Sequence, residues 1–342
     1  MSDYALIEET ARRSIVDALT QDIVDASERG AWPAVIWERL EAQGLLQPSA
    51  IAEASGSEDV LEVEAAVLRA VAATALPLPV AETALAGWFL SRHGIALPSG
   101  PLSIASFAAG EELSYKDGRV SGRLERVPWG RKAVGVVAVA GDALLLLDPR
   151  SAELTPGSNM AGEPRDTLGF KGIEPLAVGG MADRELMLCR CAAARAVQLA
   201  AAAARVLEIA VEYATQRQQF GRPISAFQAI QHQLAAAASE VASARVASQQ
   251  AYLAIQARTG EVFACAIAKA RASDAAGAVA RVAHQIHGAI GYTQEYQLHR
   301  FTRRIQSWRN EFGSSAFWAR RLGEMVLSQT GRSLWSIVTS GI

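Results

Sequence analysis

Four long, alanine-rich segments fill the second half of the chain and set the strongest limit on its fold. Leucine, valine and isoleucine recur at helical spacing through them, which predicts amphipathic helices and excludes low-complexity tracts. Small residues at this density let helices pack closely side by side, so we expect a four-helix bundle. The predicted helices cover about residues 183–217, 225–257, 260–287 and 295–329.

The remainder of the chain changes its periodicity once. Residues 1–97 have apolar positions at helical spacing, whereas residues 98–182 have the shorter period of β-strands, with Asp117-Gly118 and Gly141-Asp142 as hairpin turns. We therefore predict a mainly α fold with a small β-domain. Its parts are an N-terminal helical domain (1–97), a shortened, β-barrel-like middle domain (98–182) and a C-terminal four-helix bundle (183–342).

The charge balance excludes one broad class of function. The 342 residues include 33 Lys and Arg against 35 Asp and Glu, a net charge of −2, so the basic surplus of a nucleic-acid-binding protein is missing. Arginines interrupt the apolar runs before they reach the about 18 residues of a membrane span. The polar, acidic first ten residues do not read as a signal peptide, and three cysteines without a CxxC pair give no disulfide framework. We expect a cytoplasmic protein without nucleic-acid or membrane partners.

The connection 217–231, RQQFGRPISAFQAIQ, contains more than a helix break requires. Gly221 and Pro223 are enough to end one helix, and Ser225 can cap the next. Arg217 and Phe220 contribute to neither task. Gln228, five residues after Pro223, is equally unnecessary for the break, so these polar and aromatic side chains suggest a binding role.

A second unusual stretch is 285–304, QIHGAIGYTQEYQLHRFTRR. His284 and His287, three residues apart on a helix, have the spacing of metal ligands, but no acidic or cysteine residue completes a set. We therefore predict packing or a cofactor contact for the two histidines, and no metal site.

The domain order and the two stretches together resemble the acyl-CoA dehydrogenase family over nearly the whole chain, most strongly from 205 to 315. The resemblance implies α,β-dehydrogenation of an acyl-CoA thioester. In this family a glutamate removes the α-proton, FAD accepts the β-hydrogen as hydride, and an electron-transferring flavoprotein reoxidises the flavin. Each FAD is shared, because one subunit surrounds the flavin ring and its neighbour's bundle holds the pyrophosphate and adenosine end.

The resemblance implies roles for particular side chains. Arg217 would bring a permanent cation and a rigid fork of donors to the pyrophosphate, Phe220 an apolar face, and Gln228 an amide. Gly288 and Gly291 would let backbone N–H groups approach the cofactor. The full set of expected cofactor-binding residues is Arg217, Gln219, Phe220, Gln228, Gln285, Gly288, Gly291, Ser314 and Ser315.

The sequence departs from the family pattern in the middle domain and at the catalytic base. SIASFAAGEEL and RVPWGRKAVGV stand where the family has hydroxyl-bearing segments that hold the flavin edge. An ungapped alignment puts Phe312 at the position of the catalytic glutamate, with Glu311 beside it. One residue of offset turns a helical side chain by about 100°, so Glu311 is no automatic substitute. At the alternative position of the base on the first bundle helix stands Cys191, a poor match for a carboxylate.

This pattern resembles the short subunit of α2β2 heterotetramers in the family that shorten steroid side chains. The leading hypothesis is a subunit that lends its half of a shared FAD site to a homologous full-length partner, with a bulky, steroid-like acyl-CoA as substrate. One alternative is a self-sufficient homo-oligomer with Glu311 as base. Another is a non-catalytic scaffold subunit.

Overall fold

The computed structural model describes residues 3–55, 60–105, 113–329 and 331–340. The chain divides into two compact units, Met1–Cys191 and Ala192–Ile342. Helices make up most of the described residues, as predicted. Six lie in the first half of the chain: α1 (Asp3–Val16), α2 (Gln21–Glu28), α3 (Ala34–Ala42), α4 (Pro48–Ser55), α5 (Val60–Ala72) and α6 (Val80–Arg92).

In the described residues that follow, eight strands form two four-stranded sheets. The first sheet has the order β1 (Leu102–Ile104), β4 (Gly135–Ala140), β5 (Ala143–Leu147), β8 (Ala177–Met181). The second has the order β2 (Leu113–Lys116), β3 (Arg119–Pro128), β7 (Arg165–Ile173), β6 (Glu153–Thr155). Buried side chains from both sheets, among them Leu124, Val136, Leu145 and Phe170, form one core. The described strands therefore pack as two open sheets, and the predicted barrel-like closure is not seen among them.

Both predicted hairpin turns are confirmed. Lys116 pairs with Arg119 across Asp117-Gly118, and Ala140 pairs with Ala143 across Gly141-Asp142. Asp117 and Gly118 both have positive φ, at 51° and 75°, which is the type I′ geometry that suits the twist of a hairpin. The predicted domain boundaries near residues 97 and 182 stay predictions.

The second half of the chain contains the long helices, with one correction. The predicted fourth helix, 295–329, is two helices, because a turn at 309–314 interrupts it. Phe312 and Gly313 in this turn have φ of 54° and 94°, which no helix accommodates. The helices are α7 (Arg184–Gln216), α8 (Gln228–Ala257), α9 (Glu261–His287), α10 (Leu298–Trp308), α11 (Ser315–Leu327) and α12 (Leu334–Ser340). Helix α9 packs against α8, α10 and α11.

Helix α7 is the one described helix that is long and apolar enough to span a membrane. The sequence pattern predicted no apolar run of that length. However, 83% of its apolar window is buried inside the protein. A core helix meets the same criteria of length and composition, and this burial favours that interpretation.

Candidate cofactor-binding site

The connection between α7 and α8 is a tight β-hairpin. Strand β9 (Gln218–Gln219) pairs antiparallel with β10 (Arg222–Pro223), and Phe220 and Gly221 form the two-residue turn between them. Both turn residues have positive φ, 52° and 77°, as a type I′ turn requires. Gly221 adopts this conformation without steric cost, whereas a bulky residue such as Phe220 is rarely found there.

Phe220 combines this unusual backbone with extreme exposure. Its side chain is 92% exposed, and its described aromatic contact is an edge-on approach to Phe227, with ring centroids 6.1 Å apart. Unfavourable backbone conformations persist where the surroundings enforce them, and they cluster at binding sites. Folding of this chain therefore does not account for the aromatic side chain at the hairpin tip.

The N-terminus of α8 follows the hairpin directly and is open. Phe227 is its N-cap and provides no side-chain hydrogen bond, and the first turn contains no acidic residue. The expectation that Ser225 caps this helix is wrong, because Ser225 lies in the 3-10 turn Ile224–Ala226 and the N-cap position falls on Phe227. The Ser225 carbonyl accepts a hydrogen bond from Gln231 Nε2 at 3.0 Å. An uncapped helix N-terminus presents N–H groups to an anion, and Gln228, its first residue, is exposed.

The end of α9 brings the second sequence motif to the surface. Gln285 is exposed, and α9 ends at Gly288, whose φ of 64° and ψ of −143° are accessible essentially to glycine alone. Gly291 is buried, and a Cβ there would lie 3.0 Å from His287 Cβ and 3.1 Å from Leu298 Cδ2. Close packing within the chain already accounts for the glycine at 291.

The two histidines of this motif are engaged by aromatic rings. His284 stacks on Tyr292 with centroids 4.1 Å apart, and His287 stacks on Tyr213 at 4.3 Å. Burial lowers the pKa of both imidazoles. The described residues contain no group of three or more His, Cys, Asp or Glu side chains that could hold a metal ion.

At the position where the resemblance predicts the catalytic base, the side chains are buried or paired within the chain. Phe312 is only 8% exposed. The side chain of Glu311 is 10% exposed, and it accepts a hydrogen bond from Arg195 Nε at 2.8 Å, with Arg195 Nη2 2.7 Å from the same oxygen. Arg195 itself is buried, and its guanidinium lies 5.6 Å from the ring centroids of Trp308 and Phe312. The Glu311 carboxylate is therefore occupied by hydrogen bonds within the chain and is not presented to a substrate.

Lys269 on α9 holds the 309–314 turn through hydrogen bonds. Its buried ammonium donates hydrogen bonds to the carbonyls of Arg309 and Gly313, each at 2.8 Å, and to Ser273 Oγ at 3.2 Å. Ser314, expected to contact cofactor, caps α11 by accepting a hydrogen bond from the Phe317 N–H at 3.2 Å. Ser315 is the first residue of α11.

The segment around Trp129 in the middle domain is likewise held by contacts within the chain. The buried Asp166 carboxylate accepts hydrogen bonds from the Arg131 backbone N–H at 2.7 Å and from Arg131 Nε at 2.9 Å. Trp129 is buried and packs edge-on against Trp32. Most of the other segment expected near the flavin, SIASFAAGEEL, lies outside the described residues, at 106–112. Cys191 is fully buried in α7.

Sequence reasoning missed three basic residues of this region. Arg195 and Lys269 lie in alanine-rich helices, where only the structure reveals that they meet the 309–314 turn. Arg222 directly follows Phe220-Gly221, and this position within the binding motif was the signal that could have identified it. The structure places Arg217, Gln219, Phe220 and Gln228 on or next to the hairpin. Cofactor contacts by the nine expected residues stay predictions.

Comparisons with known proteins agree with the motifs. Residues 181–327 match the family described as "Acyl-CoA dehydrogenase, C-terminal domain". The chain is 30% identical over 323 residues to acyl-CoA dehydrogenase IpdE2 of Mycolicibacterium smegmatis, covering 93% of this chain and 94% of that protein. It is also 30% identical over 327 residues to acyl-CoA dehydrogenase FadE34 of Mycobacterium tuberculosis, covering 92% of this chain but only 45% of that longer relative.

A solved structure with the same fold is the Tcur3481-Tcur3483 steroid ACAD G363A variant. It superimposes with a TM-score of 0.87 at 25% sequence identity, covering 96% of this chain and 99% of that one. The likeness therefore includes the helical first half, the small sheets and the long helices.

Proposed function

Because this chain belongs to the acyl-CoA dehydrogenase family, we propose that it is the cofactor-contributing subunit of a heteromeric, FAD-dependent acyl-CoA dehydrogenase. The hairpin, the start of α8 and the end of α9 hold the pyrophosphate and adenosine end of FAD. A homologous full-length subunit encloses the flavin ring and provides the base. When bound, FAD supplies the hydride acceptor for α,β-dehydrogenation.

The proposed division of roles between the two subunits depends on one observation: the residues at the predicted base position are buried or paired within this chain. Phe312 is buried where the family has its glutamate, and Glu311 is held by Arg195. A general base must reach the proton that it removes, and its pKa must suit the transfer. The Glu311 carboxylate, which is in an ion pair with buried Arg195, lacks this access, so we assign the base to another chain.

The donor set of the hairpin supports a phosphate-bearing cofactor. Arg217 is exposed, the α8 N-terminus is uncapped, and Phe220 offers a free aromatic face. Guanidinium groups and helix N-termini both bind phosphate well. In the described part of the middle domain, by contrast, the Trp129 segment has its polar groups satisfied by Asp166 and Arg131.

For the substrate, we propose an acyl-CoA with a bulky, steroid-like acyl group. The support is the likeness to the Tcur3481-Tcur3483 steroid ACAD, whose name joins two components. We also propose that the assembly is a heterotetramer in the cytoplasm and that an electron-transferring flavoprotein takes its electrons.

The direct test is the visible absorption spectrum of the protein purified alone and after co-expression with a full-length homologue encoded beside it. We expect the isolated chain to be colourless. Only the complex should show flavin absorbance, at about 1 FAD per pair of unlike subunits. Arg217→Gln is expected to lower the flavin content of the complex without dissociating the subunits. Arg245→Gln, an exposed arginine further along α8, is the matched control.

Two results would overturn this proposal in different ways. Stoichiometric FAD in the isolated chain would mean that it completes its own pocket, as in a homo-oligomer that uses Glu311. Unchanged flavin content in the Arg217→Gln complex would favour the scaffold hypothesis instead.

A further inference from the structure

Two arginines lie close together at the β9–β10 hairpin. Gln219 and Arg222 are direct cross-strand partners, so their side chains lie on the same face. The Ile224 N–H donates to the Arg217 carbonyl at 2.8 Å, which extends the pairing by one step. Arg217 therefore lies directly before β9, opposite Ile224 and diagonal to Arg222. Its own N–H still donates to the Tyr213 carbonyl of α7 at 2.8 Å. Diagonal neighbours across two paired strands lie about 7–8 Å apart, within reach of one ligand for two arginine side chains.

Arg222 is held in place by an aromatic ring. Its guanidinium carbon lies 4.3 Å from the centroid of Phe227, and Phe220 approaches the same ring edge-on. Cation–π stacking at this distance is favourable, and a planar guanidinium fixed by stacking loses less conformational freedom when it binds a ligand. Phe227 immediately precedes Gln228, so the guanidinium lies next to the start of α8.

The two hairpin arginines differ from other arginines of the same unit in their charge environment. Arg205 pairs with Glu208 and Glu212, and Arg271 pairs with Glu240. Within the described residues, the side chains of Arg217 and Arg222 make no hydrogen bond or ion pair. Arg222 contacts the ring of Phe227. The hairpin therefore presents two cations to solvent without a neutralising carboxylate.

We propose that Arg222 is a second diphosphate-binding residue, which acts with Arg217. Together they make this chain's half of the FAD site selective for a nucleoside diphosphate over a monophosphate. This inference rests on the proposed function and deepens it. Each of the two guanidinium groups can donate hydrogen bonds to one phosphate group of a diphosphate, whereas a monophosphate engages only one guanidinium. Phe227 contributes by orienting Arg222 and does not itself contact the phosphate.

The experiment is calorimetric titration of the isolated chain with ADP, AMP and adenosine as probes. We expect ADP to bind more tightly than AMP, and AMP more tightly than adenosine. Arg222→Gln is expected to weaken ADP binding roughly tenfold, as for the loss of one hydrogen-bonded charge, and to leave AMP affinity nearly unchanged. Arg217→Gln is expected to weaken both nucleotides.

Further variants separate a specific role from a general loss of charge. Arg222→Lys keeps the charge but loses the planar fork, so we expect an ADP affinity between those of the native chain and Arg222→Gln. Phe227→Leu is expected to weaken ADP binding by less than Arg222→Gln. The double variant should bind ADP no more weakly than Arg222→Gln alone, because Phe227 acts through Arg222. Arg245→Gln on α8 is the control for removal of an exposed arginine.

The possible results lead to distinct conclusions. Equal loss of ADP and AMP affinity in Arg222→Gln, or additive effects of the Phe227 and Arg222 substitutions, would overturn the inference. If Arg217→Gln weakens ADP binding and Arg222→Gln does not, this inference fails while the proposed function stands. If the native chain binds none of the probes, the inference fails, and the flavin content of the co-expressed complex then decides the proposed function separately.

Discussion

Lys269 is the residue on which the conformation of the 309–314 turn depends. Its three ammonium hydrogens match three acceptors: the partly buried carbonyls of Arg309 and Gly313, and the buried Ser273 Oγ. Burial lowers the pKa of Lys269 to about 7, and Glu311 opposes this shift. Lys269→Met keeps the length of the side chain but removes the ammonium donor from all three oxygens, and within the described residues only the Arg309 carbonyl keeps a second donor, Ser273 Oγ at 3.4 Å. We expect a loss of about 2–5 kcal/mol in the free energy of unfolding, since an unsatisfied buried polar group costs about 1–3 kcal/mol.

The measurement for Lys269→Met is the midpoint of thermal unfolding, which should fall by about 3–7 °C, because a chain of 342 residues has an unfolding entropy of about 0.7 kcal/mol/K. Arg281→Met, at an exposed position of the same helix, provides the control and should shift the midpoint little. A Lys269→Met protein as stable as the native chain would show that the turn is held by its own backbone and by the indole N–H of Trp318, which donates to the Phe312 carbonyl at 2.9 Å.

At the scale of elements, the end of α9 contains a built-in dependence on pH. His284 and His287 are stacked on tyrosines, and burial lowers the pKa of both imidazoles. Their stabilising contribution is complete above the unfolded pKa of about 6.5 and is lost as the pH falls through the lower folded values, because the unfolded chain then binds more protons. We expect His287→Phe, which preserves a ring against Tyr213, to reduce the fall in thermal midpoint between pH 7.5 and 5, conditions we choose to bracket that value.

The comparison variant for this prediction is His232→Phe on the exposed surface of α8, which should leave the pH dependence unchanged. Equal slopes of midpoint against pH in the native chain and in His287→Phe would mean that other groups control acid stability.

Elements with strong local signals could be predicted from the sequence, whereas features that depend on tertiary contacts could not. The apolar stripes predicted α7, α8 and α9, and Asp117-Gly118 predicted a hairpin with both φ angles positive. The break between α10 and α11 was missed, although Gly313-Ser314 contains a positive-φ residue followed by a helix cap. The stacking of Arg222 on Phe227 and the pairing of Arg195 with Glu311, residues 116 positions apart, arise from three-dimensional proximity that no local pattern encodes.

At the scale of the whole molecule, the question is which chain provides the catalytic base. If Glu311 serves only to neutralise buried Arg195, Glu311→Gln should leave turnover per bound flavin in the co-expressed complex within about twofold of the native value, well inside the 10²–10⁴-fold effect of losing a general base. The same substitution should lower the stability of this chain by about 1–3 kcal/mol, because a buried guanidinium loses its charged partner. Glu324→Gln, at an exposed position of α11, is the control for both measurements. A loss of turnover of a hundredfold or more with flavin still bound would identify Glu311 as the base and make this chain self-sufficient. Retained turnover together with reduced stability would exclude Glu311 as the base and would support the proposed division of roles, in which the partner subunit provides the proton acceptor.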